Sequence, residues 1–330
     1  MDTIQSTLDR LAAQTDQRTS VFELEIVRLQ NSSLSLSGRL LDESQLTGLL
    51  SHFPSWTLDT SSIRILHKGT LPRMHVATNL TGLYEKPTFG MPLSSELSYG
   101  TELEILDEEG KWVFTRLADG YLGWAYKAYL VEGKAKPATH VVLAPSYELR
   151  AQPNVESEIV TRLVSGTEVC VEEVREGWAR VSANKEGWMP LSLLRALSEL
   201  PQSREEKRKM LIQDSARMIG VPYLWGGSSG NGIDCSGFTR LLHRGIGIPI
   251  PRDADMQYGA AKPVEPPFEV GDLLFFREEG SERRITHVGV SLGGWDMVHS
   301  SRRNNGVYMD NIEERESLKR IFAGGGTFLR

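Results

Sequence analysis

At 330 residues, with 40% hydrophobic and 24% charged side chains, the chain has the composition of a soluble globular protein and the length for about two to four domains. A net charge of −6, from 37 basic and 43 acidic residues, argues against nucleic acid or an anionic membrane surface as the main partner. Two cysteines, Cys170 and Cys235, cannot make a disulfide framework.

The opening residues, MDTIQSTLDRLAAQTDQ, have no basic n-region and no apolar h-region, so they do not read as a signal peptide. No apolar run reaches the roughly 18 residues of a membrane span. As written the chain reads as cytoplasmic; with an export signal removed, a periplasmic or secreted protein would read the same. Ile4, Leu8, Leu11 and Ala12 fall at helical spacing and predict a helix over 3–14. Residues 21–29 and 34–41 alternate with period two and predict paired strands turned at Asn31-Ser32-Ser33. Asp42 to Leu50 predicts a helix with Asp42 as N-cap and Gln45 three residues on. Residues 61–67 predict a further strand. This small α+β unit, 1–67, carries no legible chemistry; it stands alone or joins the β-rich segment that begins at residue 68.

An internal repeat comes next. SYGTELEILDEEGKWVFTRLADGYLGWAYKAYL (98–130) parallels VSGTEVCVEEVREGWARVSANKEGWMPLSLL (164–194). Gly100-Thr101-Glu102 matches Gly166-Thr167-Glu168, Trp112 matches Trp178, and Gly123-Trp124 matches Gly187-Trp188. Leading segments LYEKP (83–87) and LRAQP (149–153) also correspond. Short strands with glycine turns at this spacing predict two small antiparallel barrels, 68–133 and 134–197. Cys170, between Val169 and Val171, is expected in the second barrel's core. A polar stretch (198–205) leads to a helix over 205–219, with Met210, Ile212, Ala216 and Ile219 on its apolar side and Gly220 ending it.

The last segment, 205–330, holds the chemistry. PYLWGGSSGNGIDCSGF (222–238) places Cys235 where a glycine-rich loop gives way to a helix carrying Phe238, Leu241 and Leu242 on one face. Unpaired N–H groups and the positive dipole end at a helix start favour the reactive thiolate. The bland reading is a buried cysteine acting as a small hydrophobe. A short helix is expected from near Arg252 and a strand over 270–276. ITHVGVSLGGWDMVHSS (285–301) reads as a hairpin turning at Gly293-Gly294, which brings His287 and His299 near each other, within about 5 Å if directly opposite. A one-residue slip in register would separate them. Cysteine and paired histidines suit nucleophilic catalysis: one histidine takes the thiol proton and the other fixes its tautomer. Either histidine alone could instead be structural. Cys235, His287, His299 and Asp234 could also ligate zinc, but no CxxC, HxxxH or HExxH spacing supports it. No metal and no cofactor is expected.

YLWGG (223–227), DCSGF (234–238), PRDADMQ (251–257), GDLLFF (271–276), THVGV (286–290) and MVHS (297–300) together resemble the motif series of the NlpC-type papain-like cysteine peptidases of the cell wall. That resemblance implies Cys235 as nucleophile, His287 as base, His299 as the third polar residue, and Tyr223 as a donor to the oxyanion beside the Cys235 N–H. With both SH3-like barrels included, the chain is similar to the γ-D-glutamyl-L-diamino acid endopeptidases. This implies cleavage after γ-linked D-Glu in stem peptides bearing free L-Ala, with L-Ala-D-Glu as product. Asp234 and Ser236 would then hold the substrate's amino end. Tyr121 matches a substrate-contacting tyrosine of those enzymes, and Glu85 is a looser match for their acidic residue. For both, plain barrel surface is the alternative. Arg252 and Asp253 could hold charged substrate groups, or be a solvated arginine and an N-cap.

The expected fold class is therefore α+β, a papain-like peptidase domain behind two all-β SH3-like barrels. The expected partner is a peptidoglycan-derived peptide, with no nucleic acid and no membrane. Two other functions fit the same residues: an inactive cell-wall binding protein, and an amidase or acyltransferase on the same scaffold.

Overall fold

The computed structural model describes residues 2–281 and 284–329. By backbone contacts the chain divides into two compact units, one of Met1–Met74 with Glu102–Ala128, the other of His75–Thr101 with Tyr129–Arg330. Among the described residues no helix is long and apolar enough to cross a membrane.

In the first unit, the Asp2–Ala13 helix packs with a three-stranded sheet of Phe22–Gln30, Ser33–Leu40 and Thr57–Ile65. The first two strands are antiparallel around Asn31 and Ser32, both at positive φ; the last two are parallel. The parallel pair requires a crossover, and the Glu43–Ser51 helix supplies it. Asp42 caps that helix, and the Gln45 side chain closes a capping box. An antiparallel meander, Glu102–Glu109, Trp112–Arg116 and Leu122–Tyr126, belongs to the same unit. Val21, Leu41, Leu66, Leu106 and Leu122 share one apolar cluster, so the N-terminal segment and the meander are packed together.

The second unit repeats that meander as Glu168–Arg175, Trp178–Ser182 and Glu186–Pro190, inside a seven-stranded sheet. The copies agree in detail. Gly100 and Gly166 both take positive φ, and both leading strands carry a bulge, between Ile105 and Asp107 and between Val171 and Glu173. Each copy ends in a 3-10 turn, Lys127–Tyr129 and Leu191–Leu193. Cys170 departs from expectation: strand alternation puts Val169 and Val171 toward the core, so Cys170 faces the other side and is half-buried.

The C-terminal part is a six-stranded sheet in the order Lys262–Val264, Phe322–Thr327, Leu273–Arg277, Ile285–Gly293, Asp296–Ser301, Gly306–Asn311. The Cys235–Gly245 helix packs on it through Phe238 and Leu242, against Leu273, Phe275, Val288 and Val290. The preceding helix spans Arg204–Arg217, capped by Ser203 with Glu206 in a capping box. Its buried face is only partly the expected one, since Met210 packs on the core. Leu211, Asp214, Ser215 and Met218 face inward, while Ile212 and Ile219 are 41% and 42% exposed. Asp214 is buried because Arg195 of the second barrel grips both its oxygens, at 2.7 and 3.0 Å, and also reaches Gly245 O at 2.8 Å. A carboxylate inside the inward stripe hides that stripe from any hydrophobic count.

Asp214→Ala leaves Arg195 without its partner in a largely buried site. It is expected to cost about 3 kcal/mol in urea unfolding. Ile212→Ser and Ile219→Ser should each stay within about 0.5 kcal/mol of the parent. The reverse ranking would return the buried face to Ile212 and Ile219.

Candidate active site

The site begins with the cap of the Cys235–Gly245 helix. Asp234 Oδ1 accepts from Gly237 N at 2.7 Å, in the N-cap geometry. Its Oδ2 accepts from Gly226 N at 2.9 Å, which folds the glycine loop back onto the helix start. Gly226 has φ of +75°, and a Cβ there would collide with Leu93 of the Leu93–Ser98 strand, so the position requires glycine. That same strand touches the loop again: Glu96 Oε2 accepts from Ser228 N at 2.8 Å.

Arg252 completes the cap. Its Nη1 and Nη2 donate to the two Asp234 oxygens at 3.1 and 2.7 Å. It also donates to Ser236 Oγ at 3.0 Å and Ser95 Oγ at 3.1 Å, and is only 2% exposed. These bonds give three residues expected at the substrate a structural part as well. Arg252 is a buried cation rather than a solvated arginine, and Asp234 and Ser236 turn polar atoms to it and to the helix start. Asp253 stands at the N-cap position of the Ala254–Ala260 helix without a side-chain cap bond, 3.9 Å from Arg252 Nη1. Gln257 of the same motif is fully buried and donates to Ser236 O at 3.1 Å and Pro251 O at 2.8 Å.

Cys235 is 7% exposed, and its Sγ lies 3.9 Å from Thr286 O, the carbonyl just before His287. His287 Nε2 is 2.7 Å from His299 Nδ1, and the rings meet edge to face with centroids 4.9 Å apart. The two histidines are not directly opposite. Val290 pairs with Val298, which sets His299 against Gly289 and makes His287 its diagonal neighbour on the same face. A Cβ at Gly289 would lie 2.9 Å from Met297 Sδ and 3.1 Å from His299 Cβ, so glycine there leaves His299 its place.

The chain of polar contacts continues past the expected residues. His299 Nε2 is 2.9 Å from Asp310 Oδ2, and Arg315 Nη2 forms an ion pair with Asp310 Oδ1 at 2.5 Å. Asp310 lies outside the set of site residues expected from sequence. The signal exists: Asn305-Gly306 marks a second hairpin, and its register, with His299 against Tyr308, makes Asp310 the diagonal neighbour of His299.

Burial pushes the Cys235 thiol up to about 12, with the Asp234 charge adding to it; the N–H groups of Val288 and Ser236 oppose this and lose. Burial likewise holds the His287 imidazole well below its ordinary value. At neutral pH the resting pair is thiol and neutral imidazole. The expected low-pKa thiolate is therefore corrected: the helix terminus is present, but desolvation outweighs it. Burial also raises the Tyr223 phenol. The guanidinium of Arg302 stacks over the Tyr223 ring at 5.7 Å and the exposed Trp225 at 4.9 Å.

Two residues expected at the substrate have surroundings of their own. Tyr121 belongs to the first unit, 5% exposed, with its N–H on Asp119 Oδ1 at 3.1 Å. Glu85 is an exposed residue just past the Leu80–Tyr84 strand. Glu96, which sequence reasoning missed, is the acid that touches the glycine loop, and burial raises its carboxyl. Among the described residues no group of three or more His, Cys, Asp or Glu is arranged to hold a metal ion.

A cysteine at a helix start, packed on an antiparallel sheet that carries its histidines, is the papain-like arrangement. Residues 220–325 match the NlpC/P60 family, 83–128 the bacterial dipeptidyl-peptidase SH3 domain, and 146–195 the bacterial SH3 domain. The chain is 30% identical over 248 residues to a γ-D-glutamyl-L-lysine dipeptidyl-peptidase of Bacillus subtilis, covering 70% of this chain and 82% of that protein. It is 27% identical to dipeptidyl-peptidase 6 of Lysinibacillus sphaericus, covering 74% and 93%. A crystal structure of an NlpC/P60 family protein from Bacillus cereus superposes with a TM-score of 0.68 at 21% identity, over 78% of this chain and all of that one, and so shares its fold. The chain belongs to the NlpC/P60 family of peptidases, with two bacterial SH3 domains ahead of the NlpC/P60 domain.

The cap and the thiol each generate a measurable outcome. Arg252→Met strands a buried Asp234 carboxylate and is expected to cost about 3–5 kcal/mol in denaturant unfolding; a loss below about 1 kcal/mol would mean the pair is dispensable. For the thiol, a raised value leaves little thiolate below about pH 12. In a Cys170→Ala background, iodoacetamide should label the folded protein more slowly than the unfolded chain at about pH 8, with a rate still climbing at about pH 10. A fast reaction that levels off below about pH 7 would restore the pre-formed thiolate.

Proposed function

We propose that this chain is a cysteine peptidase that cleaves the bond between γ-linked D-Glu and an L-diamino acid in peptidoglycan stem peptides carrying free L-Ala, releasing L-Ala-D-Glu for cell-wall turnover or recycling. The observation that carries the reading is the chain of contacts from His287 through His299 to Asp310, with Cys235 Sγ 3.9 Å from the carbonyl just before His287, within a chain alignable over most of a γ-D-glutamyl-L-lysine dipeptidyl-peptidase. The names of those relatives make L-Lys the first diamino acid to test.

With His287 Nε2 taken by His299, Nδ1 is the nitrogen left for the thiol proton. Attack by sulfur on the γ-carbonyl carbon of D-Glu transfers the S–H proton to His287. The developing oxyanion is received by the Cys235 N–H at the helix start and the Tyr223 hydroxyl. His287 then returns the proton to the departing α-amino group of the diamino acid. Water cleaves the resulting thioester by the same base, freeing the γ-carboxyl of L-Ala-D-Glu and restoring the thiol. A thiol that stays protonated at rest means attack and proton transfer proceed together.

The test is a pair of peptides, L-Ala-γ-D-Glu-L-Lys and its N-acetylated form, with products read by mass. Release of L-Ala-D-Glu from the first alone is expected. Cleavage of both removes the free-amine requirement. Cys235→Ala and His287→Ala should each lower turnover by at least about 10³-fold; full activity of either variant ends this mechanism.

A further inference from the structure

The hydrogen bonds behind His299 fix more than its position. An ionised carboxylate only accepts hydrogen bonds, so Asp310 Oδ2, 2.9 Å from His299 Nε2, requires the His299 proton to sit on Nε2. The neutral ring then carries a lone pair on Nδ1. That nitrogen is 2.7 Å from His287 Nε2, so His287 must donate there and keep its own lone pair on Nδ1. A lone pair on Nδ1 is what removal of the Cys235 proton demands. The opposite arrangement, with both protons moved one nitrogen along, would put the proton on Nδ1 and leave that nitrogen no lone pair.

We infer that Asp310 is a positioning residue that sets the tautomers of both histidines and thereby makes His287 a base toward Cys235. The inference rests on the thiol reaction proposed above. Arg315 and Asn304 support it. Arg315 forms an ion pair with Oδ1 at 2.5 Å, and Asn304 Nδ2 donates to Oδ2 at 3.3 Å. The arginine balances the carboxylate locally. Burial alone would raise the Asp310 carboxyl, but the hydrogen bond from His299 and the Arg315 charge more than offset it and hold the group below the usual carboxylate range.

The geometry makes a sharp distinction available. In Asp310→Asn the side chain has one acceptor oxygen, and Arg315 can only donate. The oxygen therefore turns to Arg315 and the amide NH₂ to His299. His299 Nε2 must now accept, its proton moves to Nδ1, and His287 is left with its proton on Nδ1. Asp310→Asn should lower kcat/KM by roughly 10²- to 10⁴-fold, the scale on which a wrong-tautomer base fails elsewhere. Arg315→Met alone should change it by less than about tenfold. The double variant Asp310→Asn/Arg315→Met frees the amide oxygen to face His299 and should regain at least about tenfold over Asp310→Asn. A purely structural role for the pair predicts the double variant to be the worst of the three.

The direct readout is ¹⁵N–¹H correlation of the imidazole rings, which needs no substrate. Nε2–H on both His287 and His299 in the parent protein is expected, with both moving to Nδ1–H in Asp310→Asn. His287 protonated on Nδ1 in the parent, or unchanged tautomers in the variant, overturns the inference. If Asp310→Asn does not fold, the parent spectrum decides alone. Iodoacetamide labelling of Cys235 in the four proteins follows the base without a peptide. Correct tautomers together with no peptide cleavage would therefore count against the proposed substrate and leave the role of Asp310 standing.

Discussion

The buried ion pair between Arg252 and Asp234 is the constraint on which the rest of the site depends. One carboxylate caps the helix that carries Cys235, ties the glycine loop to it through Gly226, and balances a guanidinium that is 2% exposed. Such a pair contributes little as an attraction, because desolvating two charges offsets most of the gain. Its value is geometric. A bidentate pair with further bonds to Ser236, Ser95 and Gly227 has one satisfactory arrangement, and that arrangement sets where the helix begins. Since Ser95 lies on the Leu93–Ser98 hairpin strand, the same cation locks that strand to the loop in front of Cys235.

The electrostatics of the thiol arise from that burial. A helix start favours a thiolate by a modest, solvent-screened amount. Here the cap residue is itself an anion beside the sulfur, and the sulfur is enclosed, so both the largest and the second influence favour the neutral thiol. The same enclosure keeps His287 neutral. The result is a pair that holds its proton at rest and needs an aimed lone pair to move it. A line of hydrogen bonds that ends on a carboxylate provides aim without adding charge next to the sulfur, because Asp310 is separated from it by both histidines and already paired with Arg315.

Much of this is legible in the sequence where local rules and motif order agree. The capping box at Asp42 and Gln45, the turn at Asn31-Ser32, the repeat anchored by Gly100 and Gly166, and the hairpin bringing His287 to His299 all arise from interactions within a few residues or between adjacent strands. The features that are not legible share a physical cause: a polar group made acceptable in the interior by a partner far away in sequence. Asp214 hides the inward face of its helix because Arg195 neutralises it, and Arg252 looks like a surface cation because Asp234 and Ser95 cannot be seen beside it. Cys170 fails for a different reason: on a strand, apolar neighbours at i±1 point to the opposite face. Asp310 lies one hairpin beyond the last motif, in a register fixed only once Val298 and Met309 are known to pair.

Function in this fold is therefore assigned by register more than by residue type. His287, His299 and Asp310 sit on three consecutive antiparallel strands, each diagonal to the next, on one face of the sheet. A slip of one residue in either hairpin would move its histidine or aspartate to the far face and leave a buried imidazole without its acceptor. Two features fix the register against such a slip. Gly289 admits His299 where a Cβ would exclude it, and the Asn305-Gly306 turn with Asn305 at φ +50° sets the second hairpin. The proposed chemistry needs a cysteine at a helix start, but it is the pairing of these three strands that brings His287, His299 and Asp310 into one line of contacts.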